Sequence, residues 1–159
     1  MPDLKLIALD AEDLRVISAH LQDAVMRVSD LAYLPNEKRF AALANRFDWG
    51  KALDASGKAA KPVKGSAKFE RRRAGLRIER VLSAKVSGID LKDRRATLAL
   101  LAIDFTPSDR ADGPDGDVTL TFSGGAAIRL AVECLEFEMK DLGAVWSTKR
   151  SPSHPDETS

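Results

Sequence analysis

The apolar positions of this chain change their spacing once, near residue 24. Leu4-Lys5-Leu6-Ile7-Ala8-Leu9 is a short, nearly unbroken apolar run and predicts a first strand. Asp10 ends it as an N-cap, and Glu12 and Asp13 occupy the first turn, where carboxylates favour the positive end of a helix dipole. Leu14, Ile17, Leu21 and Ala24 follow at helical spacing, with Arg15, Ser18 and Gln22 off the stripe, which predicts an amphipathic helix over residues 11–23 lying on a sheet. From Met26 the period is two. Met26 and Val28, then Leu31 and Tyr33, mark an extended segment with a slip in parity near Ser29-Asp30. Pro35-Asn36-Glu37-Lys38 has turn chemistry, and Arg39 to Trp49 continues extended with Leu43, Asn45, Phe47 and Trp49 on one face, so the two segments predict a hairpin.

The alternation is clearest from Leu76 onward. Leu76, Ile78, Leu82, Ala84 and Val86 share one face, interrupted by Arg80, which reads as a position near a sheet edge. A turn at Lys92-Asp93-Arg94 leads into Thr97, Ala99, Leu101, Ile103 and Phe105; the opposite face (Leu98, Leu100, Ala102) is also apolar, which predicts a central strand covered on both sides. Val118, Leu120 and Phe122, a Ser123-Gly124-Gly125 turn, and Ile128, Leu130 and Val132 form the next hairpin. Beyond Val132 the spacing fits two structures. Leu135, Phe137 and Met139 alternate as a bulged strand, while Leu135, Met139 and Leu142 also fall at helical spacing with Gly143 as a C-cap; the strand is preferred. Val28-Ser29 with Leu31 and Val86-Ser87 with Ile89 precede the two turns in similar fashion, a pattern that either a duplicated hairpin or shared hairpin grammar produces.

These elements predict an α+β fold, mostly antiparallel β, with about seven strands in a curved sheet or partial barrel and one N-terminal helix packed on it. Residues 1–146 are expected to form a single globular domain, with 50–67 as a mobile basic loop and 147–159 as a disordered tail. The expected core is Leu6, Leu14, Ile17, Leu21, Phe47, Ile78, Leu82, Leu101, Ile103, Leu120, Phe122, Ile128, Leu130 and Val132.

Composition narrows the class. At 159 residues, 44% hydrophobic and 31% charged, the chain can bury its own core without disulfides or metal. The longest apolar run, Leu98 to Ile103, is far too short to cross a bilayer, and no signal sequence is visible at the N-terminus. Cys134 is the sole cysteine, which suits a reducing compartment, so a cytoplasmic protein with no membrane partner is expected. The net charge of +1 conceals an asymmetry: Lys51 to Arg80 carries ten Lys/Arg against three acids, while Ile103 to Gly143 carries nine acids against three basic residues.

Catalytic motifs are scarce. The sequence has no G-x-S-x-G, C-x-x-C or H-E-x-x-H; Gly57-Lys58 lacks the upstream glycine and the hydroxyl of a phosphate loop, and the acids between Asp109 and Asp117 miss calcium-loop spacing. No cofactor, metal or catalytic residue is therefore assigned. The basic stretch is the main functional signal. Lys64, Lys68, Arg71, Arg72, Arg73 and Arg77 lead from a loop into a strand and are positioned to contact an anionic partner, such as nucleic acid or an acidic protein surface. Aromatic residues that stack on bases are few there, Phe69 alone, so a solvated basic loop guarding a strand edge is the competing reading. His20, on the flank of the helical stripe, is the one imidazole in the expected folded region.

Leu6-Ile7-Ala8-Leu9-Asp10-Ala11-Glu12-Asp13-Leu14, Ile17 to Ala24, Arg46-Phe47-Asp48-Trp49 ahead of Arg71-Arg72-Arg73, Gly124-Gly125 and Val132-Glu133-Cys134-Leu135 together resemble an uncharacterised family of small alphaproteobacterial proteins, a domain of unknown function. The resemblance spans about residues 4–146. It implies a cytoplasmic bacterial protein and brings no activity or site residue with it. The expected function is thus a non-enzymatic binding or adaptor domain recognising an anionic partner through a basic loop and strand edge. A small enzyme with a site near His20 and a self-associating structural protein, a homo-oligomer joined by its oppositely charged halves, are the alternatives.

Overall fold

The structure, a computed structural model, describes residues 4–47, 71–109 and 113–146. Lys64, Lys68, the segment 50–67 and the segment 147–159 lie outside the described residues. Among the described residues, ten strands and one α-helix follow in the order β1 (Lys5–Ala8), α1 (Ala11–His20), β2 (Val25–Arg27), β3 (Leu31–Leu34), β4 (Arg39–Phe47), β5 (Arg71–Glu79), β6 (Val81–Ser87), β7 (Thr97–Pro107), β8 (Gly116–Phe122), β9 (Ala127–Val132) and β10 (Phe137–Trp146). The strands pair in the order β1-β10-β5-β4-β2-β7-β8-β9-β6, with β3 on β4, and the pairings are antiparallel. The class is therefore mostly antiparallel β with one helix, in a sheet that does not close.

The expected seven strands become ten because three of them break, each at a definable place. The segment from Met26 is cut by a 3-10 turn at Val28–Asp30, where the sequence shows its parity slip. The strand through Leu76 is cut at Arg80, whose φ of 63° is left-handed. The segment from Ile128 is cut by the bend before Phe137, after which the strand, and not the helix, is formed. The two turns are not equivalent. β3 and β4 pair as a hairpin, but β6 and β7 are separated by β8 and β9, so the resemblance between their sequences does not reflect a duplicated hairpin.

α1 forms as its caps dictate: the Asp10 carboxylate accepts from the Asp13 N–H at 2.8 Å, and the helix stops at His20, three residues before the expected end, with Asp23 left-handed at φ 66°. Leu14 and Ile17 are buried, and the helix lies across β7, where the Ser18 hydroxyl accepts the Ile103 N–H at 3.0 Å. That N–H is freed by a register shift between Leu100 and Ala102.

Three positions expected in the core are corrected, two of them by irregularities of this kind. Leu101 occupies the shift in β7 and is 47% exposed; Leu82 occupies a second shift, between Val81 and Ser83, and is 52% exposed. An extra residue in one strand has no opposite partner and turns the parity over, so each leucine is expelled while Leu98, Leu100, Ile103 and Val81 turn inward. Phe47 is the third: it lies half-buried on the outer face of β4, whose inner face is Phe40, Ala42, Ala44 and Arg46. One continuous core cluster runs from Leu14 and Ile17 through Ile78, Leu100 and Phe122 to Phe137 and Met139.

Gly116 joins β8 to both neighbours, opposite Pro107 and Val132. A Cβ there would fall 2.3 Å from the Thr106 carbonyl oxygen and 2.8 Å from Phe105 Cζ, so the backbone must move. Gly116→Ala is expected to cost about 1–3 kcal/mol, seen as a lower urea midpoint at unchanged slope. Gly75→Ala is the internal contrast. Its Cβ would meet Leu142 at an ordinary 3.5 Å, and a glycine in a strand interior carries excess entropy when unfolded. Stability equal to or about 0.5 kcal/mol above the parent is expected.

Candidate functional site

Alternation along β4 and β5 sorts their side chains between two very different surroundings. Ala41, Leu43, Asn45 and Phe47 point to the outer face together with Arg71, Arg73, Gly75 and Arg77, in the cross-strand pairs Leu43–Gly75, Asn45–Arg73 and Phe47–Arg71. β5 is flanked by β4 and β10, so the expected strand edge is an interior strand, and its arginines stand on a sheet face.

The break between β2 and β3 shapes that face. β2 pairs with β4 at Val25–Asn45 and β3 resumes at Leu31–Ala42, so the turn Val28–Asp30 is looped out. It is tied back by Val28 N–H to Ala96 O at 2.9 Å and Ser29 N–H to Arg94 O at 3.0 Å. The Asp30 carboxylate accepts the Arg27 N–H at 3.3 Å and stands 3.9 Å from Arg73 Nη2 on β5. Asp30 thus reaches over the sheet as a lip and divides a trough into two compartments that share Ser29 and Asp30.

The larger compartment, about 640 Å³, has an aliphatic floor of Leu31, Ala41, Leu43, Gly75 and Leu142, with Lys5, Arg77, Glu138 and Lys140 around it. Gly75 leaves room for Leu142 to lie across it. The smaller, about 410 Å³, is polar and includes Arg27, Asn45, Arg71, Arg73 and Thr97. Arg71 packs over the Phe47 ring, 4.9 Å from its centroid, and Asn45 Oδ1 is buried with no hydrogen-bond partner among the described residues. Neither Arg27 nor Arg71 makes an ion pair among the described residues, and the Arg73–Asp30 contact is long. By contrast, Arg77 is engaged by Glu138 at 2.5 Å and Glu79 at 3.1 Å, and Arg80 by Glu136 at 3.7 Å.

Directly beneath lies a buried ionic cluster. Arg46 Nε and Nη2 each donate to Asp141, to Oδ1 and Oδ2, at 2.8 Å. Leu4 N–H donates to Asp141 Oδ2 at 3.1 Å, and Arg72 Nε lies 4.0 Å from the same oxygen. Arg46 and Arg72 face each other across β4 and β5, and the cluster ties β1, β10, β5 and β4 in register. Burial alone raises the Asp141 carboxyl; the hydrogen bonds and charge of Arg46, the Leu4 amide and the Arg72 charge outweigh it and hold the group below the ordinary carboxylate range.

The candidate residues of the sequence are therefore separated. Arg71 and Arg73 share the polar compartment, Arg72 points into the core, and Arg77 sits one cross-strand row beyond Gly75 among carboxylates. His20 is half-buried in the last turn of α1 and lines neither compartment. Sequence reasoning did not single out Asn45, Arg27, Arg46 or Asp141 as functional. The last two carried a signal: Asp141 continues the inward phase of Leu135, Phe137 and Met139, and Arg46 that of Phe40, Ala42 and Ala44.

Among the described residues no helix is long and apolar enough to cross a membrane. No curated protein and no solved structure matches the chain. A family model does match, over residues 4–154, and on that match the chain belongs to the family described as a protein of unknown function, DUF2948.

Proposed function

We propose that this protein is a binding module that takes an anionic group, a phosphate or a carboxylate, into the compartment formed by Arg27, Arg71, Arg73 and Asn45. The observation that carries the proposal is the gathering of three guanidinium groups around the Asn45 side chain, whose Oδ1 is buried, with Asp30 the one carboxylate among the described lining residues and only at long range. Guanidinium groups present planar donor forks suited to such anions, and the Asn45 amide adds an N–H donor when its nitrogen faces the compartment. The volume of about 410 Å³ suits a compact group better than the flat track of a duplex. The buried cluster below fixes β4 and β5, so the arginines are displayed from a rigid floor.

Titration with inorganic sulfate, followed by amide chemical shifts, tests this. Shifts are expected at Asn45, Arg71 and Arg73, weakening as sodium chloride is raised, with at least a tenfold loss of affinity in Arg71→Gln/Arg73→Gln. Lys85 and Arg129, opposite each other on β6 and β9, are the control pair. Shifts centred there, or unchanged sulfate binding in the arginine double variant, would remove the proposal.

A further inference from the structure

The anionic compartment is not isolated: across the Asp30 lip it opens onto an aliphatic floor, and the two share lining residues. Resting on the anion-binding proposal above, we infer that the ligand is a single-chain amphiphile, with its anionic head at Arg71 and Arg73 and its hydrocarbon chain laid over Leu43, Gly75 and Leu142. Three observations select this occupant. First, β5 beneath the floor is paired by β4 on one side and β10 on the other, and β4 is paired by β5 on one side and by β3 and β2 on the other, so an extended peptide would find no open strand edge in the floor, whereas a hydrocarbon chain needs none. Second, the floor is aliphatic and narrow in side-chain size, with glycine at its centre, and offers no ring on which a base or an aromatic ligand would stack. Third, Arg71 and Arg73 lie at one end of the chain path, while Arg77 and Lys5 beside the floor are paired with Glu79 and Glu138, and the distance along β4 from Asn45 to Ala41 is about 13 Å, the reach of roughly ten methylene carbons. Leu142 is 46% exposed above Gly75, an apolar side chain that such a chain would cover.

The probes are straight-chain carboxylates from acetate to decanoate, kept below their micellar concentrations, titrated into the full chain by calorimetry. Affinity is expected to rise about two- to fourfold per added methylene and to level off near ten carbons. Decyl phosphate in place of decanoate is expected to bind at the same residues, and the ratio of the two affinities identifies the head group. Gly75→Leu, which fills the floor, is expected to abolish the dependence on chain length and to leave sulfate binding unchanged. Leu43→Gln, on the outer face, is the second variant and is expected to reduce decanoate affinity at least tenfold with sulfate binding again intact. Affinity that is flat with chain length, or a length dependence that survives both variants, overturns the amphiphile while sulfate binding keeps the anion site. Loss of sulfate binding in the parent protein overturns both. Binding to phosphatidylglycerol vesicles with no binding of monomeric decanoate or decyl phosphate also overturns the inference, since it places the recognition at a membrane surface and not in the trough.

Discussion

Asp141→Ala is expected to destabilise the protein by about 3–5 kcal/mol, a large part of the stability of a domain of this size. The carboxylate accepts two hydrogen bonds from Arg46 and one from Leu4 and lies beside Arg72. Its removal leaves two guanidinium groups, each no more than 3% exposed, without that compensating charge. The cost comes from the charges left behind, not from the gross strength of the pair. Replacing the cluster as a whole, with Arg46→Met, Arg72→Leu and Asp141→Leu, is therefore expected to be neutral or stabilising. The pH dependence follows from the same group. Its carboxyl is held below its unfolded value, so its contribution is complete above the unfolded pKa, near ~4, and is lost as pH falls through the lower folded value. Urea midpoints measured from pH 7 down to pH 2 should fall more steeply at the acid end in the parent than in Asp141→Asn, which is weaker at neutral pH and lacks this titration. An Asp141→Ala protein within about 1 kcal/mol of the parent would mean that water reaches the two arginines.

How much of this was legible in the sequence depends on what alternation encodes. The alternation through Phe137 and Met139 correctly marks a strand, although Leu135 falls in the bend before it, the Asp10 cap correctly starts α1, and the slip at Ser29-Asp30 is the turn that becomes the lip of the trough. Alternation does not say which face is inward. In β4 Leu43 and Phe47 lie outside while Phe40, Ala42, Ala44 and Arg46 lie inside, facing an interior that Phe122, Phe137 and Met139 from other strands also fill. Nor does alternation locate a bulge. Leu82 and Leu101 have the period of core residues and are exposed because one extra residue reverses the phase. The site was half visible for a related reason. A run of basic residues marks the segment, but the strand distributes the run between opposite faces, and its partners Arg27 and Asn45 come from β2 and β4, which only the pairing brings alongside.

The arginine triplet gives the second large effect, a difference between neighbours that composition treats as equal. Arg72→Glu is expected to cost at least about 3–5 kcal/mol, and to leave much of the protein unfolded, whereas Arg71→Glu stays within about 0.5 kcal/mol of the parent and Arg73→Glu, whose carboxylate turns toward Asp30, costs about 1 kcal/mol. In β5 the three side chains point in, out and out: Arg72 is buried beside Asp141, Arg71 is exposed over Phe47, and Arg73 is half-buried facing Asn45. A glutamate at 72 would set a second carboxylate against Asp141 in a space with almost no access to water, so like charges meet where neither is solvated. At 71 the reversed charge is screened by solvent, and at 73 it meets Asp30 in a partly solvated place, so the main loss at both is anion binding. Thermal unfolding of the three single variants reads the stabilities, and sulfate titration reads the site. Equal destabilisation across all three would place the triplet on one surface and contradict the inward turn of Arg72. The same pattern dictates how the site is to be probed: a variant that reverses all three arginines together would lose binding by unfolding, while the Arg71/Arg73 pair separates recognition from stability.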